Sequence, residues 1–486
     1  MSTKFHDITR NALSLTFGQG LGYVINFLSF ILIARYFNIS DFGKFSFFVA
    51  TISIVSKFVD FGLVPIVFRE YSLKKNNKLL NTAFSIRGIL FILAIIIVNL
   101  FVYLTRYSHE EIIYINILLI SIIVSSRIGN FRELMNVPFK VNLKMHIPML
   151  VTIIDNIIFL LLVLLLPLIK GNLPYLIFIY VFANIPGFII MIIFLSNRYH
   201  FVLKPTLIRA KWLLMESLPL AGFVLVMVLF QQVDLLLLKY FKGENDVAIF
   251  SASLRFVMPL SIIPAAFSAT VFPLMMKNIS NHESQQRLIK IVNKFLFLSA
   301  TIISLLLIFK TQDIILLTIG NKYVDSYLSF NILLISQIFL FVNFFSLSIF
   351  TAYKKQIWNF HYSVIIFLAN AAFDIILIPA LTFNGAAAAK LAASLLGFIF
   401  ILQKIYKLNF TFFLKEFKII IWIIFLLILG FIISFLPIIF YFIAFICLIM
   451  VSVLFFNIIT LEEIEIILKL FNRSNWLFFI QKYFRN

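Results

Sequence analysis

The sequence predicts an all-α polytopic membrane protein of about fourteen transmembrane helices: two six-helix lobes in pseudo-twofold repeat, then two more helices. Three observations predict it. Hydrophobic residues make up 62% of the 486 residues and charged residues 12%, with a mean hydropathy of +1.07. A soluble domain carries about 25% charged residues, so too little polar surface is left to cover a particle in water. The apolar residues also come in runs, such as Gly88 to Leu104 and Ile157 to Ile169 with their flanks, and about 20 apolar residues span a bilayer core as a helix. Lipid tolerates only helices and closed barrels, and the runs lack the alternation of barrel strands. Finally, the first half of the chain echoes in the second.

The first span, 11–37, follows a polar start and has no small-residue cleavage site, so it reads as an insertion signal that is kept. Spans 42–68, 81–105, 111–128, 146–169 and 173–196 complete an N-terminal lobe, residues 1–205. Spans 213–240, 246–276, 288–309, 325–352, 357–383 and 386–407 form a C-terminal lobe, 206–410. Spans 416–436 and 437–460 stand outside the repeat, within 411–460, and 461–486 reads as a cytoplasmic amphipathic tail. Short surface amphipathic pieces are expected at 206–212 and 313–320. Several spans exceed 25 residues, which implies tilt or kinks; Pro65, Pro148, Pro219, Pro259, Pro264, Pro273 and Pro379 are the candidates. The small-residue run Gly385 to Ala389 lets helices approach, and Trp212 and Trp358 fit interfacial anchors.

The formal charge of +20 suits either an anionic partner or the positive-inside rule. With the N-terminus in the cytoplasm, 28 Lys and Arg fall on cytoplasmic segments and 7 on outer ends. The bias orients both termini inward and accounts for most of the charge without nucleic acid. Outer connections are short, the longest being 310–324, so no soluble catalytic domain is expected. Cys447 is alone, which excludes an intrachain disulfide. No phosphate-binding GxxxxGK[ST] loop and no ligand cluster with metal spacing is present, so no cofactor is expected.

Ile33-Ala34-Arg35-Tyr36-Phe37 before Asp41-Phe42-Gly43 is echoed by Leu237-Leu238-Lys239-Tyr240-Phe241 before Asp246-Val247-Ala248, at offsets of 204 and then 205. Lys140, Asn156, Phe159 and Gly171 recur 214 residues on as Lys354, Asn370, Phe373 and Gly385. Six helices per repeat insert both halves in one orientation, a plan used by secondary transporters.

The stretch Ala34 to Gly43, with Val59-Asp60-Phe61-Gly62-Leu63 and Phe68-Arg69-Glu70, resembles the polysaccharide transporter family. This family includes the Wzx-type O-antigen flippases of the multidrug/oligosaccharidyl-lipid/polysaccharide exporter superfamily. Asp234 to Lys242, and Asn370, Asp374, Pro379 and Asn384-Gly385-Ala386, resemble its other recurrent features. Ala248, where the second half would carry a counterpart of Gly43, departs from the pattern. The resemblance implies twelve to fourteen helices, two lobes and alternating access. It also implies a substrate class, polyprenyl-pyrophosphate-linked oligosaccharide units for O-antigen or another surface polysaccharide, in the bacterial plasma membrane. The polysaccharide polymerase machinery is a further implied partner.

Ionisable groups inside a span cost roughly 2.5–3.5 kcal/mol on insertion scales, so they are the pointers to a path. Arg255 lies roughly 14 Å below the outer start of its helix; it reads either as a cavity cation for pyrophosphate or as the partner of Asp234. Lys57, Arg87, Arg127 and Lys294 lie nearer the cytoplasmic ends and form either a basic funnel for an anionic headgroup or a set of snorkelling side chains. The arginines rank first because their fork matches phosphate. Asp60, Asp155, Asp234 and Asp374 are the proton-coupling candidates, or else helix–helix hydrogen-bonding groups. Lys57 and Asp60 share a face and could neutralise each other; Asn370 and Asp374 also share one.

The favoured function is gradient-driven flipping of the lipid-linked oligosaccharide, without enzymatic chemistry. A drug/cation antiporter of the same superfamily is the alternative, but its cavity should be dominated by acids. A membrane sugar polymerase or ligase calls for a larger external loop, and a non-transporting scaffold has no need of charges at mid-depth.

Overall fold

The computed structural model describes residues 2–104, 108–277, 279–412, 416–460 and 463, with the side chains of 2–17 and 19 left aside. The expected tail, 461–486, therefore lies outside the described residues except for Glu463. Among the described residues every regular element is helical. The helices are α1 (Ser2–Tyr36), α2 (Ile39–Asp60), α3 (Leu63–Lys74), α4 (Asn77–Leu104), α5 (His109–Leu119), α6 (Ser121–Val124) and α7 (Asn130–Val141). They continue as α8 (His146–Leu165), α9 (Leu173–Phe182), α10 (Ile185–Tyr199), α11 (Ala210–Phe241), α12 (Glu244–Val257) and α13 (Ile262–Lys277). The last are α14 (His282–Ile308), α15 (Thr311–Thr318), α16 (Tyr327–Ala352), α17 (Gln356–Lys407), α18 (Phe417–Ile433) and α19 (Ile438–Phe455). Among the described residues ten helices are long and apolar enough to cross a membrane, and Gly20–Tyr36 and Phe417–Ile433 are shorter apolar ones.

Several expected spans are broken, each for a local reason. The span at 42–68 divides between α2 and α3, because Phe61 and Gly62 both take left-handed backbone angles. A Cβ on Gly62 would lie 2.8 Å from the Ala221 backbone nitrogen of α11, so glycine serves both the turn and the approach. The span at 246–276 becomes α12, a 3₁₀ turn at Met258–Ser261 and α13, with Pro259 in the turn and Pro264 just after it. Helix α17 runs through both 357–383 and 386–407 but reverses at Thr382 (φ 55°, ψ −135°). Past the reversal Gly385 packs on the Leu377 carbonyl, 2.4 Å from where a Cβ would sit. The surface helix expected at 206–212 is absent; 201–207 is irregular and α11 starts at Ala210. The short helix expected at 313–320 is α15.

The chain forms two compact units, Met1–Arg255 and Phe256–Asn486. In the first, α1 packs on α8, α11 on α2, and α3 on α7. Asn38 caps α2 by accepting from the Asp41 amide at 2.7 Å. One turn on, a Cβ on Gly43 would sit 1.9 Å from the Glu244 carbonyl oxygen of α12. Glycine is thus what lets the motif segment of α2 touch the start of α12. In the second unit α16 packs on α14 and on both arms of α17. Asn343 donates to the Ser394 carbonyl at 3.1 Å there, and Ser329 to Asn384 at 2.7 Å.

Candidate functional site

Two helix interruptions in the first unit create the site. The segment 125–129 separates α6 from α7, and the step 183–184 separates α9 from α10. The expected span at 111–128 thus runs on past a break, and 130–141, expected as part of a cytoplasmic connection, is the helix α7 with Asn130, Arg132, Leu134 and Phe139 buried. Non-helical backbone at membrane depth persists only where protein buries it or where it lines a wet cavity. Here polar groups tie it down. Ser125 Oγ accepts from the amides of Arg127 (3.1 Å) and Ile128 (3.3 Å). Gly129 takes a left-handed φ of 73° to start α7. Asn184, fully buried, donates to the Tyr180 carbonyl at 2.8 Å and accepts from the Ser126 amide at 3.4 Å. One asparagine therefore joins the two interruptions.

Arg132 spans the first interruption. Its guanidinium donates to Asp155 on α8 at 3.0 Å and to the Val124 carbonyl, the open end of α6, at 3.4 Å. The other Asp155 oxygen faces Gly187 of α10, where a Cβ would stand 1.9 Å from it. Asp155 is thus engaged by a cation that sequence reading had assigned to a loop.

Arg127, in the interruption itself, has no such partner. Its guanidinium lies over the Phe159 ring (4.0 Å to the centroid) and the Tyr180 ring (5.0 Å). All three guanidinium nitrogens are buried and make no hydrogen bond among the described residues. A buried donor left unmade costs about 1–3 kcal/mol, more for a charged group; stacking on two rings returns part of that. Arg255, half-buried near the end of α12, is an electrostatic neighbour of both Tyr180 and Arg127. Tyr180 is thus stacked against Arg127 and lies within the electrostatic reach of Arg255.

A second ionic group lies between α2, α4 and α7. Arg87, fully buried, pairs with Asp60 and donates to the Asn130 carbonyl. Asn130 in turn donates to Ser56. Asp60 is thus taken by an arginine from another helix rather than by Lys57 one turn before it. Glu133, exposed on α7, is an electrostatic neighbour of Lys57, Asp60 and Arg87. The first unit therefore gathers Lys57, Arg87, Arg127, Arg132 and Arg255 against Asp60, Glu133 and Asp155, and Asp234 is buried on α11 of that unit.

The remaining predicted residues lie in the second unit, apart from this group in the chain. Asp374 is buried and accepts from Asn370 at 2.9 Å, the face-sharing contact expected from their spacing. Lys294 is buried between Glu416 and Glu463, 2.9 Å from an oxygen of each. Burial by itself would raise the Glu416 carboxyl; the hydrogen bonds from Lys294 and Lys290 hold it below its ordinary value.

Sequence reading missed Arg132, Glu133, Tyr180 and Asn184. The signal for the first two was the pair Ser125 and Gly129, which interrupts the hydrophobic run and so forecasts a broken helix. Nothing in the spacing marks Tyr180 or Asn184.

Residues 8–279 match a family described as polysaccharide biosynthesis protein. No curated protein matches the chain. Among solved structures, the lipid II flippase MurJ in an inward closed conformation superposes with a TM-score of 0.73 at 19% identity, covering 92% of this chain and 98% of that one. An inward-facing multidrug resistance MATE transporter of the MOP superfamily gives 0.60 at 13% identity, covering 80% and 95%. A MATE transporter from Vibrio cholerae gives 0.55 at 12%, covering 84% and 98%. At these identities the likeness is one of fold.

Proposed function

Since the chain belongs to the polysaccharide biosynthesis protein family, we propose that it flips a polyprenyl-pyrophosphate-linked oligosaccharide, an O-antigen or other surface-polysaccharide unit, across the bacterial plasma membrane. It does so by alternating access, driven by an ion gradient and not by enzymatic chemistry. The observation that carries this reading is the Arg127 guanidinium, buried on Phe159 and Tyr180 with its donors unused and within the electrostatic reach of Arg255. A site that holds cations in want of acceptors is built for an anion, and a diphosphate offers one oxygen-rich group to each guanidinium. The aromatic faces suit the sugar that follows it.

In this reading Arg127 and Arg255 bind the diphosphate. Lys57, with Glu133, lines its approach; Arg87, buried and held by Asp60 and the Asn130 carbonyl, fixes the start of α7, and Arg132 and Asp155 hold the interruption in shape. The lobes are residues 1–205 and 206–410, the passes number fourteen, and both termini face the cytoplasm. A drug/cation exporter of the same fold would need carboxylates where these arginines stand. Lys294 is already satisfied by two carboxylates, so binding substrate there would first require breaking two ion pairs.

The test is a reconstituted one. Purified protein in proteoliposomes is given a labelled polyprenyl-diphosphate oligosaccharide, and its appearance in the opposite leaflet is followed. Losing charge-assisted hydrogen bonds of about 1.5–3 kcal/mol should slow Arg127→Gln and Arg255→Gln by about ten- to a hundredfold, with thermal melting unchanged. Movement of the labelled lipid at the wild-type rate in both variants, or no movement beyond protein-free vesicles in the wild type, overturns the reading.

A further inference from the structure

Among the described residues the terminal helix pair meets the rest of the second unit chiefly at α14. Helices α18 and α19 pack on each other, with Trp422 Nε1 donating to Ser452 Oγ at 2.9 Å. Their outer faces are open: Ile420, Ile424 and Ile428 on one, Ile439, Ile443 and Met450 on the other. Both helices contact α14. At its C-terminal end this contact is tight, because Gly430 abuts Phe309 and the Tyr441 hydroxyl donates to the Leu305 carbonyl at 3.3 Å. In lipid no hydrophobic force presses one apolar helix on another, so close packing and polar bonds decide.

The other end of α14 carries a run of polar side chains at four-residue spacing, His282, Gln286, Lys290 and Lys294, which places them along one face. All four engage the connection that leads from α17 into α18. His282 stacks on Phe410 at 4.7 Å and 9°. Gln286 and Thr411 exchange bonds, the amide of Gln286 donating at 3.0 Å to the Thr411 carbonyl and the Thr411 amide donating back at 2.8 Å. Lys290 pairs with Glu416 at 3.1 Å, and Lys294 with Glu416 and Glu463 at 2.9 Å each. Glu463 also accepts from the Thr460 amide at 2.9 Å, just past α19. One lysine therefore fastens the segment entering the pair and the segment leaving it.

We infer that this face of α14 is the clasp of the terminal helix pair, and that Lys294 is a positioning residue that acts through Glu416 and Glu463. The pair is held at two points along one helix: apolar and tight near Phe309, polar and reversible near Lys294. Opening the second frees the near end of α18 and α19 to swing while the first remains as pivot. The inference needs only contacts within the second unit and stands apart from the identity of the substrate.

Hydrogen–deuterium exchange on the full-length protein in nanodiscs tests it. Lys294→Met should raise exchange of peptides covering 408–420 and 456–463 at least about tenfold, since it leaves Glu463 without its cation and Glu416 with only the more exposed Lys290. Peptides from 300–309 should be unchanged. The conservative variant Lys294→Arg keeps a cation between Glu416 and Glu463 and should hold exchange close to the wild-type level. Unchanged exchange in Lys294→Met, or exchange in Lys294→Arg as high as in Lys294→Met, overturns the clasp. Lys290→Met, which removes only the more exposed cation, should give a smaller rise.

Discussion

Arg127 and Arg132 stand five positions apart in one polar stretch, yet their surroundings give them opposite work. Arg132 is satisfied on two sides, by Asp155 and by the Val124 carbonyl, so its charge is spent on structure. Arg127 keeps its donors. The difference yields a sharp expectation at Gly187. Because a methyl there would stand 1.9 Å from Asp155 Oδ1, Gly187→Ala must displace the carboxylate and open its bond to Arg132. Removing a partner from a buried ion pair costs about 3–5 kcal/mol, so a fall in melting temperature with purified protein is expected, together with slower lipid movement. Asp155→Asn keeps the shape and one acceptor oxygen, and should lose less stability than Gly187→Ala. A Gly187→Ala protein as stable as the wild type means that α10 yields instead of the ion pair. Arg87, Arg127 and Asp155 were legible in the sequence because a charge inside an apolar run is conspicuous whatever it does. Their partners were not, since Asp60 with Arg87, and Asp155 with Arg132, lie 27 and 23 residues apart on different helices.

At the scale of the helix, hydropathy located the spans, and left-handed residues and prolines decided where they break. Gly62 and Gly129 were visible as glycines, but the reversal at Thr382 and the left-handed Phe61 have no such mark and follow from packing. Gly43 illustrates how a motif acquires its reason only in three dimensions. Its repeat counterpart, Ala248, lies on α12 itself, four residues past Glu244, so the two are not equivalent in surroundings. Gly43→Val should push α2 from the start of α12 and weaken the nearby pairing of Lys239 with Glu244; a lower yield of folded protein and a lower melting temperature would be measured. The clasp on α14 makes an acid-side prediction. Glu416 is held below its ordinary value by Lys294 and Lys290. Its contribution is therefore full above the unfolded glutamate value of 4.5 and is lost as pH falls through the lower folded value. Limited proteolysis of the connection leading into α18 should accelerate as pH falls below 4.5, and Glu416→Gln should be cut quickly at neutral pH with little further change on acidification.

For the molecule as a whole, the charge bias expected to orient the chain and the charges buried among its helices come from the same count of 40 Lys and Arg, and only position separates them. Exposed cations such as Lys74 and Lys144 sit at or next to helix ends, as the positive-inside rule leads one to expect; Arg87, Arg132 and the guanidinium of Arg127 are instead buried in the first unit. In the second unit Asp374 is the coupling candidate that the gradient-driven reading calls for. It is buried on α17 and accepts from the amide of Asn370. Replacing it by Asn preserves that contact, since an amide oxygen at 374 still accepts from Asn370. The fold should therefore survive, with a melting temperature close to that of the wild type. If Asp374 carries the proton that links the gradient to lipid movement, Asp374→Asn vesicles should still equilibrate the labelled lipid between leaflets. They should no longer accumulate it against a concentration difference when a pH gradient is imposed. Undiminished accumulation in that variant removes Asp374 from the coupling role and leaves Asp155, already tied to Arg132, as the weaker candidate, because its proton must compete with a guanidinium 3.0 Å away.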